Sequence, residues 1–235
     1  MWIAVALVLS LAAEAQTVRM VPFEQQGKWG YRTPGGKVAI APRYEMAQDF
    51  SPEGIAAVVD EHGWAYIDRR GKLVIRPLVV DNGPDSFAEG LARFRSDGKI
   101  GFFDSHGRVA IQPHYAFAAS FSEGYAAVCN DCREVAEGEH RVVKGGTWGF
   151  IDRTGATAIP LHFEAAESFQ GGKARVQLDG KWRYIDTKGA LEGDSVASAK
   201  VAGNSLPDAG LKGVPSPRSY SEAASVRAGL SAHPL

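Results

Sequence analysis

Apolar and polar residues alternate along short stretches of this chain. In Gly63-Trp64-Ala65-Tyr66-Ile67-Asp68, Trp64 and Tyr66 share one face of a strand, and Ala65 and Ile67 share the other. Both faces are apolar or small, which predicts a strand covered on both sides. The pattern returns as Gly27-Lys28-Trp29-Gly30-Tyr31, Gly98-Lys99-Ile100-Gly101-Phe102-Phe103-Asp104, Thr147-Trp148-Gly149-Phe150-Ile151-Asp152 and Gly180-Lys181-Trp182-Arg183-Tyr184-Ile185-Asp186. Its Trp positions are 29, 64, 100, 148 and 182, with steps of 35, 36, 48 and 34 residues. A period near 35 predicts a repeat architecture.

A turn follows each strand. Asp68, Asp104, Asp152 and Asp186 each precede a Gly by three residues, as in a type I turn whose Asp bonds forward to the backbone. Thr33-Pro34-Gly35-Gly36 replaces this turn in the first unit and predicts type II. The returning strand reads Lys37-Val38-Ala39-Ile40, Lys72-Leu73-Val74-Ile75, Arg108-Val109-Ala110-Ile111 or Ala156-Thr157-Ala158-Ile159, and Pro42, Pro77 and Pro113 are expected to stop three of these. A second signature closes the unit, as in Phe87-Ala88-Glu89-Gly90 and Phe121-Ser122-Glu123-Gly124, with looser copies at Phe50 and Phe169. It reads as a turn and a third strand that leads into the next Trp motif as a hairpin.

The predicted fold is all-β, a tandem array of about five three-stranded antiparallel repeats. Trp29, Trp64, Trp148 and Trp182, with Phe50, Phe87, Phe121 and Phe169, are the expected repeat core. Val18-Arg19-Met20-Val21-Pro22-Phe23 resembles the third strand of a preceding unit, and the last unit lacks one. An open or gently curved array is expected; the alternative is a closed, propeller-like ring in which this N-terminal strand completes the last unit. The Trp-Gly and Phe-x-Glu-Gly motifs resemble the WG-repeat (KWG-repeat) family over about residues 20–190. That resemblance implies an exported bacterial interaction or structural array, with no catalytic residue to carry over. Ala65, Ile100 and Arg183 depart from the Trp-Gly pair.

Composition adds boundaries. Trp2 to Ala13 is an apolar run too short to span a bilayer, and Ala13-Glu14-Ala15 suits a cleavage site before Gln16. Residues 1–15 are therefore expected to be a signal peptide, 16–192 the repeat domain, and the Trp- and Phe-free residues 193–235 a disordered tail. No transmembrane segment is expected, and the protein is expected to be periplasmic or secreted. The formal net charge of −1 offers no phosphate-tracking surface, so no nucleic acid partner is expected.

Candidate chemistry is sparse. Cys129 and Cys132 open the one insertion, and the expected reading is a small disulfide at its base. A redox motif would need a helix N-terminus in a βαβ setting, and a zinc site would need ligands beyond His140, Glu137 and Glu139. Each turn Asp is explained by its turn, without calcium. No catalytic residue, cofactor or metal site is assigned. Asp131, Arg133, Glu134, Glu137, Glu139, His140 and Arg141 crowd the insertion, which is the expected binding loop. The expected function is non-catalytic: a protein-protein interaction or structural module with an envelope partner. A cell-wall glycan-binding module is the alternative, and an enzyme is the least expected.

Overall fold

The computed structural model describes residues 19–138 and 140–192, apart from the side chains of residues 140 and 141. The expected signal peptide and tail lie outside the described residues. No helix occurs among those described. The first sheet joins β1 (Val21–Gln25), β2 (Lys28–Arg32) and β3 (Val38–Tyr44). The second joins β4 (Met46–Ala47), β5 (Ile55–Asp60), β6 (Gly63–Asp68) and β7 (Leu73–Ile75), and a small hairpin of β8 (Val79–Val80) and β9 (Gly83–Pro84) follows. The third holds β10 (Leu91–Ser96), β11 (Lys99–Asp104) and β12 (Val109–Tyr115). The fourth opens with β13 (Phe117–Ala118) and β14 (Tyr125–Asn130), is interrupted by the hairpin β15 (Arg133–Glu137) and β16 (His140–Lys144), and resumes with β17 (Thr147–Asp152) and β18 (Thr157–Phe163). The fifth holds β19 (Ala165–Ala166), β20 (Lys173–Leu178) and β21 (Lys181–Asp186).

Every pairing is antiparallel, and each sheet is offset from the sequence repeat. The strand after a Phe-x-Glu-Gly turn pairs with the Trp strand of the next repeat, as in Tyr125↔Asp152 to Asn130↔Thr147. The hydrogen-bond ladder therefore ties consecutive repeats together. β1 plays this part for the first Trp strand. Among the described residues β1 bonds only β2, and β21 bonds β20 and, through the Ile185–Leu191 bridge and the Glu192 N–H on the Tyr184 carbonyl, its own returning segment, so no ladder joins the first sheet to the last and the array is open.

The glycine of the Trp-Gly pair has a steric cause. Trp29 pairs with Tyr44 and Tyr31 with Ile40, so two steps on β2 face four on β3. The surplus bulges over Gly30, where an added Cβ would lie 2.5 Å from the Ile40 carbonyl oxygen and 2.7 Å from the Pro42 nitrogen. Gly101 and Gly149 sit under the same bulge, at 2.5 and 2.6 Å from the corresponding oxygens of Ile111 and Ile159. Pro42 and Pro113 thus do not stop their strands, contrary to expectation; they lie inside β3 and β12 at a bulge, where a missing N–H costs no ladder bond. In the second sheet β7 ends at Ile75, and Pro77 bridges to Phe94 instead. β7 pairs with Tyr66 and Ile67 and ends at Ile75, so no bulged return strand is registered over Ala65, which is buried. Over Arg183 there is likewise no bulged strand among the described residues.

The turns need one further correction. Gly35 does not take the positive φ that type II requires; Gly36 does, at 85°, and its N–H bonds to Thr33. The first turn therefore belongs with the Asp turns, in which the final Gly is left-handed.

Sheets pack with the Trp-x-aromatic face of one against the Ala/Ile face of the next. Trp148, Phe150, Ile159 and Phe163 of the fourth sheet share a core with Phe169, Ala174, Val176 and Ile185 of the fifth. Each turn Gly also rests on the preceding return strand. An added Cβ at Gly71, Gly155 or Gly189 would stand 3.1–3.2 Å from Ile40, Ile111 or Ile159, and at Gly107 only 2.2 Å from Val74. The Glu of the second and of the third closing turn binds the turn that follows. The Glu89 carboxylate accepts from Gly124 N–H at 3.0 Å, and that of Glu123 accepts from Gly171 and Gly172 N–H at 2.6 and 2.8 Å.

The core is centred differently from expectation. Tyr31, Phe102 and Phe150, two residues past each Trp position, are fully buried, as are Ile100 and Phe169, and Phe121 is nearly so. Trp148 is 6 % exposed, while Trp29, Trp64, Phe50 and Phe87 are half-buried at the margins. Trp182 is 43 % exposed and outside the core. Among the described residues no sixth sheet covers it. Trp148→Ala is expected to cost about 3–5 kcal/mol, and Trp182→Ala to leave stability nearly unchanged, as measured by urea unfolding of the two variants side by side.

Candidate interaction surfaces

The insertion replaces a two-residue hairpin loop. Asp97-Gly98 and Asp179-Gly180 join their strands with both φ values positive, the type I′ geometry that matches strand twist. Between Asn130 and Thr147 the chain instead departs as β15–β16, from Arg133↔Lys144 to Glu137↔His140. Cys129 and Cys132 are disulfide-bonded, with Cα atoms 6.1 Å apart. Cys129 faces Trp148 across the ladder and both are buried, so the bridge is set in the core of the fourth and fifth sheets. Gly146, with φ 77°, closes the base: an added Cβ would lie 2.2 Å from the Asn130 oxygen. The Trp148 indole N–H donates to the Gly145 carbonyl at 3.1 Å.

Beyond its base the hairpin is exposed. Arg133, Glu134, Ala136 and Glu137 face solvent, as does Asp131, which holds a left-handed φ of 57°. Arg95 of the third sheet donates to Glu134 at 2.8 Å, and Glu137 pairs with Lys144. Glu139 and the side chains of His140 and Arg141 lie outside the described residues. β15 and β16 pair only with each other, leaving two unpaired strand edges.

The other candidate groups are absorbed by the scaffold. One oxygen of Asp68, Asp104, Asp152 and Asp186 accepts two backbone N–H groups in each turn, at 2.8–3.1 Å. The Thr154 hydroxyl and turn amides hold the Asp152 carboxyl below its usual range, and the Ala190 and Lys188 amides do so for Asp186. Among the described residues no group of three or more His, Cys, Asp or Glu could hold a metal ion. The described histidine side chains, His62, His106, His114 and His162, are all exposed. A cavity of about 490 Å³ opens beside Lys28, Arg43 and Asp60. Its charges are already paired: Lys28 with Glu45, Asp60 with Arg76 at 2.7 Å, and Arg43 donating to the Gly71 carbonyl at 2.6 Å. No helix among the described residues is long and apolar enough to cross a membrane.

Comparison with known proteins agrees with this architecture. The WG containing repeat matches residues 29–61, 64–99, 100–131 and 148–182, more than half of the chain. The chain belongs to the WG-repeat family. No curated protein matches it. The four matched segments leave out residues 132–147, most of the insertion.

The sequence reading missed two groups on this WG-repeat array. Asp85 is buried and bound by Arg93, whose Nη1 reaches the Ala118 carbonyl of the next sheet at 3.0 Å. Arg175 and Gln177 stand opposite Tyr184 and Trp182 in the last sheet. Both lie on alternating strand positions, a signal visible once the register is known.

A pH dependence follows from the turn carboxylates. Their folded-state pKa is depressed, so their contribution is present above the unfolded value and is lost as pH falls through the folded one. Thermal melts should hold near neutrality and decline below about pH 4, and Asp152→Asn should show less of that decline.

Proposed function

We propose that this WG-repeat chain is a non-catalytic, exported interaction module that captures a protein partner through the β15–β16 hairpin. One observation carries the reading: the longest excursion from the array among the described residues exposes Arg133, Glu134, Ala136 and Glu137 and is fixed at its root. The disulfide and the Gly146 contact restrain that root, which lowers the ordering cost of binding. Two unpaired strand edges offer backbone groups for strand addition, and Arg133, Glu134 and Glu137 offer charges for specificity. The apolar run Trp2–Ala13 and a disulfide in a two-cysteine chain support an oxidising, extracytoplasmic site of action. Binding of glycan along the whole array is less favoured, because Trp148 is buried and Trp29 and Trp64 are half-buried, so the indoles form no exposed row.

A photo-crosslinking residue at Ala136, compared with one at Val38, tests this in intact cells. The expected result is one discrete protein adduct from position 136 alone, weakened by Glu134→Lys with Glu137→Lys, on a chain whose mature N-terminus is Gln16. Equal labelling at both positions, or an adduct on a chain that keeps Met1, would contradict it.

A further inference from the structure

The last sheet ends the array on a face unlike the others. Three devices that carry stacking onward are missing from it. The position seven residues past the turn Asp is Ile75, Ile111 or Ile159 in earlier repeats and Gly193 in the last. The closing turn carries Gly171 where Glu89 and Glu123 stand in earlier turns. Among the described residues no further sheet follows. The face that elsewhere packs on the next sheet is here half-exposed, as in a capping repeat. A cap exchanges its rings for polar groups, yet this one keeps Trp182 and Tyr184, 43 % and 50 % exposed. They alternate on β21 and so share one face, roughly 7 Å apart. Arg175 and Gln177 are their cross-strand neighbours on that face, and the Arg175 guanidinium lies 4.4 Å from the Trp182 ring centre.

The third sheet shows what such an arginine reaches. Arg93 occupies the position equivalent to Arg175; it pairs with Asp85 and extends Nη1 to the Ala118 oxygen of the sheet stacked on it. Arg175 keeps the first contact, with Glu167 at 3.3 Å, and has no next sheet for the second. A ligand here must lay a flat apolar surface on two rings and bring oxygen atoms to a guanidinium and an amide.

We infer that the Trp182–Tyr184 face, with Arg175 and Gln177, is a binding platform for a β-linked oligosaccharide chain. The axial C–H groups of gluco-configured sugars make both ring faces apolar, while hydroxyls at the rim meet Arg175 and Gln177. A peptide lying across a sheet face would leave its own N–H and C=O groups unpaired there. A second copy is disfavoured by area: two half-exposed rings supply roughly 200 Å², against about 800 Å² per partner in a stable dimer. This surface is separate from the hairpin, and its test stands or falls independently of the proposed protein partner.

Titration calorimetry of the full chain with cellohexaose and chitohexaose, at millimolar sugar, tests the assignment. At least one should bind. Trp182→Ala and Tyr184→Ala should each weaken it by about tenfold or more, with unchanged melting temperature, and Gln177→Ala should weaken it less. A charge swap of Glu134 and Glu137 on the hairpin should leave sugar binding intact. Any of these results would overturn the inference: no heat from either sugar, undiminished affinity in Trp182→Ala, or a Trp182→Ala variant that melts many degrees lower. The last would mean that the chain itself covers the rings. A change in sedimentation on Trp182→Ala would assign the face to a second copy and overturn it equally.

Discussion

A methyl group has no room at Gly30, Gly101 and Gly149, and the rest of each repeat depends on that. The return strand can cross there only if no side chain intervenes. Its crossing absorbs two surplus residues, which lets Ile40, Ile111 and Ile159 pair with the central aromatic while Tyr44, Tyr115 and Phe163 still reach the first position of the strand. The aromatic is thereby roofed and fully buried in three sheets. Where the crossing is missing, the constraint lapses. Ala65 is accepted beneath a diverted strand, and Arg183 where no bulged strand lies above it.

Stacking follows from the same geometry. The bulged strand leaves its Ile side chain at the surface of its sheet, and the next turn Gly settles on it in a left-handed conformation. Glu89 and Glu123 then tie each closing turn to its successor. These contacts are local to neighbours, so the array's length is a matter of whether a repeat supplies them. The fifth carries neither the Glu nor the Ile, and leaves Trp182 and Tyr184 half-exposed.

Period, strand type and turn chemistry were legible in the residues, because each is a local rule: alternation for strands, Asp and Gly for turns. Openness of the array was the favoured expectation, and the absence of any ladder between β1 and β21 among the described residues bears it out. Burial was misread at Trp182 because it depends on what lies on the far side of a sheet, which no local rule carries. Pro42 and Pro113 were misread as stops because a bulge and a strand end make the same demand on the backbone, a missing N–H. The Asp85–Arg93 pair escaped notice because its members meet only through the detour of β8 and β9. The insertion was legible by its length alone, and its anchoring to Arg95 was not.

In the proposed readings, function falls to what the stacking does not consume: the hairpin between the central strands of the fourth sheet, and the terminal face of the fifth. Both presuppose a rigid scaffold, and that rigidity rests on the crossing over glycine. Urea unfolding of Gly149→Ala beside Arg183→Gly tests this most directly. Position 149 has an added Cβ 2.6 Å from the Ile159 oxygen, and position 183 already bears a side chain. Gly149→Ala should lose about 1–3 kcal/mol and Arg183→Gly should stay within about 1 kcal/mol of the parent. Equal stability of Gly149→Ala and the parent would contradict the account.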